Sequence, residues 1–317
     1  MEIIATIRRI DEKYDLLKMI EKCIINNINL FRINLAKSAD INKTANDIKL
    51  IRNEFGVSNV KIMLDVPFPG CKIRVKLQKS IKIRKKNKYL FACKDNIYNN
   101  NETIIMLTNI GVNLTVGEEI IYNDGEGLFI VNKKINTDLF EFIALNNFLL
   151  YSGKSLSCYQ DITNKYDLSN IRNIKPEYLA LSFIDTSEQI NAVKQTSLFI
   201  DSKIIAKIET QSAINELNSI LECCDGVMVA RGDLAMNIKD NNFLNTQKFI
   251  CENALAKNKM FYIATDIMQS MINHPFPSRS DLTDIGFIKN MNPNGIILSL
   301  QLSTSENLEQ AVKWINV

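Results

Sequence analysis

Two short stretches of this chain place phosphate-binding and cation-binding groups side by side. Ile204–Ile208 runs through Lys207 into Glu209, and Gly226–Ala230 runs into Arg231 and Asp233. Carboxylates without a histidine suit a hard divalent cation such as Mg²⁺, which keeps waters and substrate oxygens as its other ligands. Both apolar runs have strand length, and a helical-looking segment joins them. A β-α-β unit would make them parallel neighbours about 4.8 Å apart, with their charged ends on one side.

The remaining elements must position that pair. Six further strand-like runs surround it: Ile3–Ile7, Leu30–Asn34, Val60–Asp65, Tyr178–Phe183, Met260–Ala264 and Gly295–Ser299. Apolar residues at helical spacing mark helices between them: Asp11–Asn27 (with Asp11 as N-cap), Ser38–Glu54, Ser187–Gln195, Ala213–Leu221, Phe243–Lys257, Ile267–Asn290 broken at its prolines, and Ser305–Trp314. Eight such strands alternating with helices predict an α/β fold, the (β/α)8 TIM barrel, whose active site gathers at the C-terminal strand ends. The rhythm breaks after strand three. From about Val75 to Ser155 the runs are short and alternating, separated by Asn, Asp and Gly clusters, which predicts a small all-β domain inserted after strand three. The expected division is residues 1–74 and 156–317 for the barrel and 75–155 for the insertion.

Bulk composition narrows the function. With 46% hydrophobic and 23% charged residues, the 317-residue chain has an ordinary globular composition. A net charge of +3 predicts no nucleic-acid partner, and no apolar run is long enough to predict a membrane span. The seven cysteines form no C-x-x-C pair and the first residues show no signal peptide, so the expected setting is cytoplasmic with reduced thiols. A single histidine, His274, excludes a histidine-rich metal site.

Polar residues collect at the C-terminal strand ends: Arg32 and Asn34, Asp65 with Lys72 and Arg74 beyond it, Ser182, Lys207 and Glu209, Arg231 and Asp233, Thr265 and Asp266. Cations for phosphate beside carboxylates for metal are the equipment of phosphoryl transfer, in which positioning and charge neutralisation do most of the catalysis. Simpler readings exist for each residue. Arg32 suits a rim ion pair, Asp65 a strut for its own loop and Thr265 a helix cap. The basic run Lys82–Lys88 reads as the charged face of a strand, Cys223-Cys224 as packing and His274 as a loop residue.

Met228–Leu234, Met-Val-Ala-Arg-Gly-Asp-Leu, resembles the metal-binding signature of the pyruvate kinase family. Ile204–Glu209 is similar to that family's Lys-x-Glu strand. Phe31–Asn34, Leu64-Asp65, Ser182–Ile184 and Ala264-Thr265 follow in the family's order, and the inserted β segment lies where the family has its mobile lid. The resemblance implies Mg²⁺-dependent phosphoryl transfer from phosphoenolpyruvate to ADP, giving pyruvate and ATP. Glu209 and Asp233 would ligate Mg²⁺, for which Mn²⁺ could substitute. Lys207 would stabilise the phosphoryl group in flight, Arg32 and Arg74 would hold phosphate oxygens, and Thr265 would belong to the proton path. Asn34, Asp233 and Ser182 would contact substrate, and Gly232 would let backbone N–H groups approach its carboxylate.

Departures from the family pattern carry their own implications. Ala36 and Val66 stand where the family has hydroxyl groups that help bind a monovalent cation, and Lys72 falls where K⁺-independent members carry lysine. K⁺ is therefore expected to be dispensable, with the Lys72 ammonium supplying the charge. Arg8-Arg9, Ala235 and Ser299–Leu302 also depart from the pattern. These changes motivate two alternatives: a catalytically impaired relative that binds Mg²⁺ and an oxo-acid in a regulatory or specialised role, or an enolate lyase on the same site. The family's C-terminal regulatory domain is expected to be missing, leaving the barrel as the surface for any homo-oligomer.

Overall fold

The computed structural model describes residues 1–8, 16–37, 41–67, 73–93, 104–108, 114–157, 174–196, 201–238 and 242–317. Lys72 and the expected N-cap Asp11 lie outside the described residues. The chain divides into two compact units, Met1–Phe68 with Lys165–Val317, and Pro69–Asn164.

The first unit is a closed eight-stranded parallel barrel. Its strands are β1 (Glu2–Thr6), β2 (Leu30–Asn34), β3 (Lys61–Val66), β13 (Tyr178–Leu181), β14 (Lys203–Ile208), β15 (Gly226–Ala230), β16 (Met260–Ala264) and β17 (Gly295–Leu298), with β4 to β12 in the other unit. The helices are α1 (Leu16–Ile25), α2 (Ile41–Phe55), α3 (Ser187–Gln195), α4 (Gln211–Asn215), α5 (Leu217–Cys223), α6 (Arg231–Asn237), α7 (Phe243–Ala256), α8 (Arg279–Asn290), α9 (Leu300–Thr304) and α10 (Leu308–Asn316). The TIM-barrel expectation is met, and each expected strand appears within two residues of its expected ends.

Period-two alternation builds two cores from one set of strands. Ile4, Leu30, Met63, Tyr178, Ala180, Ile205, Met228, Tyr262 and Ile297 fill the barrel lumen. The alternate residues, such as Ile3, Ala5, Phe31, Leu64, Leu179, Ala206, Val227 and Val229, pack outward with the helices. This parity positions the site. Thr6, Arg32, Asp65, Ser182 and Lys207 are the next members of the inward series Ile4, Leu30, Met63, Ala180 and Ile205. They form the polar layer above the apolar lumen.

Three local differences have physical causes. The single helix expected over Ala213–Leu221 is two, interrupted at Glu216, because Thr210 caps the first with its side chain and Glu216 leaves helical geometry. The strand expected to run to Phe183 stops at Leu181, since Phe183 turns to φ +53°. Ser299 is the cap of α9, accepting the Leu302 N–H, rather than a strand end.

The second unit is all-β, as expected. Strands β4 (Ile73–Lys76), β6 (Lys88–Ala92), β7 (Ile104–Thr108), β8 (Glu119–Tyr122), β9 (Gly127–Lys134), β10 (Leu139–Ala144) and β12 (Ser155–Ser157) close a small barrel, and β5 (Ile81–Ile83) pairs with β11 (Phe148–Leu150). Its core is separate and aromatic, with Phe91 and Phe142 stacked at 4.3 Å and Phe129 edge-on to Phe91 at 5.2 Å.

Candidate active site

The polar layer is one connected network. Arg32 Nε and Nη2 both donate to Asp65 Oδ2, at 2.9 and 2.6 Å, and Arg32 Nη1 donates to Thr6 Oγ1 at 3.0 Å. The other carboxylate oxygen, Asp65 Oδ1, accepts from Lys207 Nζ at 3.2 Å and from Ser182 Oγ at 3.3 Å. Lys207 Nζ also donates to Ser182 Oγ at 2.8 Å and lies 3.0 Å from Glu209 Oε1. Strand pairing brings these residues together, because Thr6 sits opposite Arg32, Asn34 opposite Asp65, and Asp65 opposite Ala180.

Burying these charges is costly and only mutual pairing makes it tolerable. Burial alone would drive Asp65 to protonate, but Lys207 and Arg32 overcome it and hold its carboxyl well below the usual carboxylate range. Burial likewise disfavours the Lys207 ammonium, yet Asp65, Glu209 and, least of the three, Asp233 raise its pKa above that of an ordinary lysine, against an opposing effect of Arg32. The layer therefore holds a charged Lys207 ammonium beside the Arg32 guanidinium.

Glu209 is fully buried at the end of β14. Its Oε2 accepts the Phe183 N–H at 2.6 Å. The left-handed turn at Phe183, uncommon for a non-glycine residue, accompanies that bond. Asp233 lies in the first turn of α6, where the positive helix end favours a carboxylate. Gly232 beside it faces Thr265, and a Cβ at Gly232 would come within 3.1 Å of Thr265 Cγ2. Thr265 is exposed at φ +80°, followed by Asp266 at φ +56°. A β-branched residue in that region is strained, and strain of this kind clusters at functional sites.

Other candidates make local contacts. Asn34 Oδ1 accepts the Ala36 N–H at 2.9 Å, a local turn contact. Arg74, on β4 of the second unit, donates to the Gly153 carbonyl at 2.7 Å. Arg231 does not add to the cations of the polar layer. It pairs in bidentate fashion with Asp284 of α8, at 2.6 and 2.8 Å, and donates from Nε and Nη2 to the Thr265 carbonyl. Sequence reasoning did not reach Thr6 or Asn237. Inward parity with Ile4 was the available signal for Thr6, and the four-residue spacing from Asp233 was the signal for Asn237. Cys224 and Cys251 are buried, and burial pushes their thiols up to about 11 and about 12, so they pack rather than react.

Among the described residues, no three His, Cys, Asp or Glu side chains form a ready metal cage, and no helix is long and apolar enough to cross a membrane. Glu209 and Asp233 follow adjacent strands, β14 and β15. Two carboxylates on neighbouring strand ends, with water and substrate oxygens as the other ligands, suit Mg²⁺, which rarely takes an all-protein cage. The donor set thus fits that ion.

The fold and site together define a TIM barrel with a buried cation-carboxylate network and two flanking carboxylates at its C-terminal face. The family model of the pyruvate kinase barrel domain matches residues 1–299, and the chain belongs to the pyruvate kinase family. It is 28% identical to the pyruvate kinase of Thermoplasma acidophilum over 327 residues, covering 99% of this chain and 56% of that protein. It is 25% identical to that of Thermotoga maritima over 328 residues, covering 99% and 69%, and 27% identical to that of Mycoplasma pneumoniae over 300 residues, covering 88% and 59%. The chain thus spans between about half and two-thirds of the length of these relatives.

Proposed function

We propose that the chain transfers the phosphoryl group of phosphoenolpyruvate to ADP, giving pyruvate and ATP, with Mg²⁺ held by Glu209 and Asp233 and without a requirement for K⁺. The observation that carries this reading is the Lys207 ammonium, buried and kept charged in a network that also orients Arg32. The remaining guanidinium N–H groups of Arg32 can hold phosphate oxygens. Lys207 can meet the phosphoryl oxygens as charge shifts in the loose transition state. Bound Mg²⁺ would supply charge neutralisation at the enolate and carboxylate oxygens. Backbone N–H groups at Gly232 and Asp233, at the start of α6, suit the substrate carboxylate. Ser182 keeps Lys207 in place, Asn34 and Arg74 remain substrate contacts proposed from the family pattern, and the Thr265 hydroxyl is the proposed link in the proton path to the enolate carbon.

Independence from K⁺ has separate support. Both oxygens of Asp65 accept bonds from Arg32, Lys207 and Ser182, so a cation could enter only by displacing them. Ala36 offers no hydroxyl ligand. The charge-substitute role of Lys72 rests on sequence position alone.

A lactate dehydrogenase-coupled assay with phosphoenolpyruvate, ADP and Mg²⁺ tests both points. Turnover that changes less than about twofold on adding K⁺ is expected. Folded protein with no turnover under any condition refutes the kinase reading, and a strong K⁺ requirement refutes the cation argument while leaving the kinase standing. Retained divalent-ion binding without turnover would favour the catalytically impaired reading instead.

A further inference from the structure

Glu209 and Asp233 sit on different elements, and something must fix the spacing between them. Asn237 of α6 is buried, and its Nδ2 donates to the Glu209 carbonyl at 3.1 Å. Asn237 lies four residues after Asp233, one helical turn along the same face. One side chain therefore ties the backbone of Glu209 to the helix that presents Asp233. A second tie secures the other side of the same turn. The Thr210 hydroxyl accepts the Ala213 N–H at 3.0 Å and donates its proton to Asp185 Oδ1. Asp185 is two residues beyond Phe183, whose N–H holds the Glu209 carboxylate. The loops after β13 and β14 are thus joined twice, through Glu209 to Phe183 and through Thr210 to Asp185.

We infer that Asn237, with the Thr210–Asp185 bond as its counterpart, is a positioning residue that sets the separation of the Glu209 and Asp233 carboxylates and thereby the affinity for a divalent cation. The inference rests on reading those two carboxylates as the metal ligands. Neither Asn237 nor Asp185 would touch the ion. Partners that orient metal ligands are commonly worth about 10- to 100-fold in affinity, and a tie to the ligand's main chain belongs at the lower end of that range.

Mn²⁺ binding to the full chain, followed by electron paramagnetic resonance without substrate, provides the test. Asn237→Leu keeps the volume and removes the donor, and should weaken Mn²⁺ about tenfold. Asn237→Gln keeps an amide donor and should recover most of that loss. Glu209→Gln is the control for the site itself. If Glu209→Gln abolishes binding while Asn237→Leu leaves it unchanged, the positioning role is overturned and the metal site stands. Equal losses in the Leu and Gln variants would mean that packing, not the hydrogen bond, matters, and would also overturn it. Wild-type protein that binds no Mn²⁺ overturns the metal site and the inference together. Should Asn237→Leu fail to fold, Thr210→Val cuts the second tie, and unchanged Mn²⁺ affinity in that variant counts against the clamp.

Discussion

Asp65 carries the electrostatics of the site on two oxygens, and its environment sets a testable pH dependence. Its carboxyl is held below its unfolded value by Lys207 and Arg32 despite burial. A depressed carboxylate contributes stability that is present above the unfolded pKa, about 3.9, and is lost as pH falls through the folded one. Lys207 is raised, so its contribution is present below about 10.4 and is lost only as pH rises beyond. Asp65→Asn leaves Arg32 and Lys207 short of a counter-ion and should cost about 3–5 kcal/mol at neutral pH. Denaturant titrations from neutral to acidic pH should show the wild-type advantage shrinking only below about pH 4. An advantage that does not change with pH would contradict the charge argument. Gly232→Ala separates function from folding at a neighbouring position. Alanine favours the first turn of α6 by about 0.5–1 kcal/mol over glycine, while its Cβ presses on Thr265 at 3.1 Å. The expected variant melts no lower than wild type but turns over at least tenfold more slowly in the coupled assay, a loss of about 1.4 kcal/mol in transition-state stabilisation.

Arg231 shows how elements, rather than single side chains, hold the proposed catalytic face together. It joins α6, the turn after β16 and α8 through Asp284 and the Thr265 carbonyl, and so braces the strained Thr265-Asp266 turn. Hydrogen bonds to a charged group contribute about 1.5–3 kcal/mol, and Arg231→Met should lose about that much. It should also slow turnover, because Thr265 is no longer held. Unchanged kcat in a destabilised Arg231→Met protein would confine the arginine to folding. The elements themselves were largely legible in the sequence. The barrel strands are buried on both faces and read as short apolar runs, and their inward parity carried the polar residues to the lumen mouth. What stayed hidden has physical reasons. Phe148–Leu150 and Ser155–Ser157 are three-residue strands, too short to show alternation. The role of Arg231 depends on Asp284, fifty-three residues away in sequence, and no local pattern announces such a pairing. The role of Asn237 likewise depends on the Glu209 carbonyl, twenty-eight residues away in sequence.

On the scale of the whole molecule, the two units have separate cores, and stability should be separable too. The barrel core is mainly aliphatic and closed around its own strands, whereas the inserted unit is built on Phe91, Phe129, Phe140 and Phe142. Phe129 is its hub, packing edge-on to Phe91 at 5.2 Å and to Phe148 at 5.1 Å. Truncating a buried phenylalanine costs about 3–5 kcal/mol, a large share of what a small unit has to lose. Two units with independent cores need not unfold in one step. The sequence supplies a reporter for this, because the single tryptophan, Trp314, lies in α10 and packs against the barrel core. Tryptophan fluorescence therefore follows the barrel alone, while amide exchange across Leu139–Ala144 follows the insertion. Phe129→Ala should sharply raise exchange in that strand and leave the Trp314 unfolding midpoint within experimental error of wild type. A matching fall in the Trp314 midpoint would mean that the two cores share one cooperative transition, and that the barrel depends on the insertion for its stability.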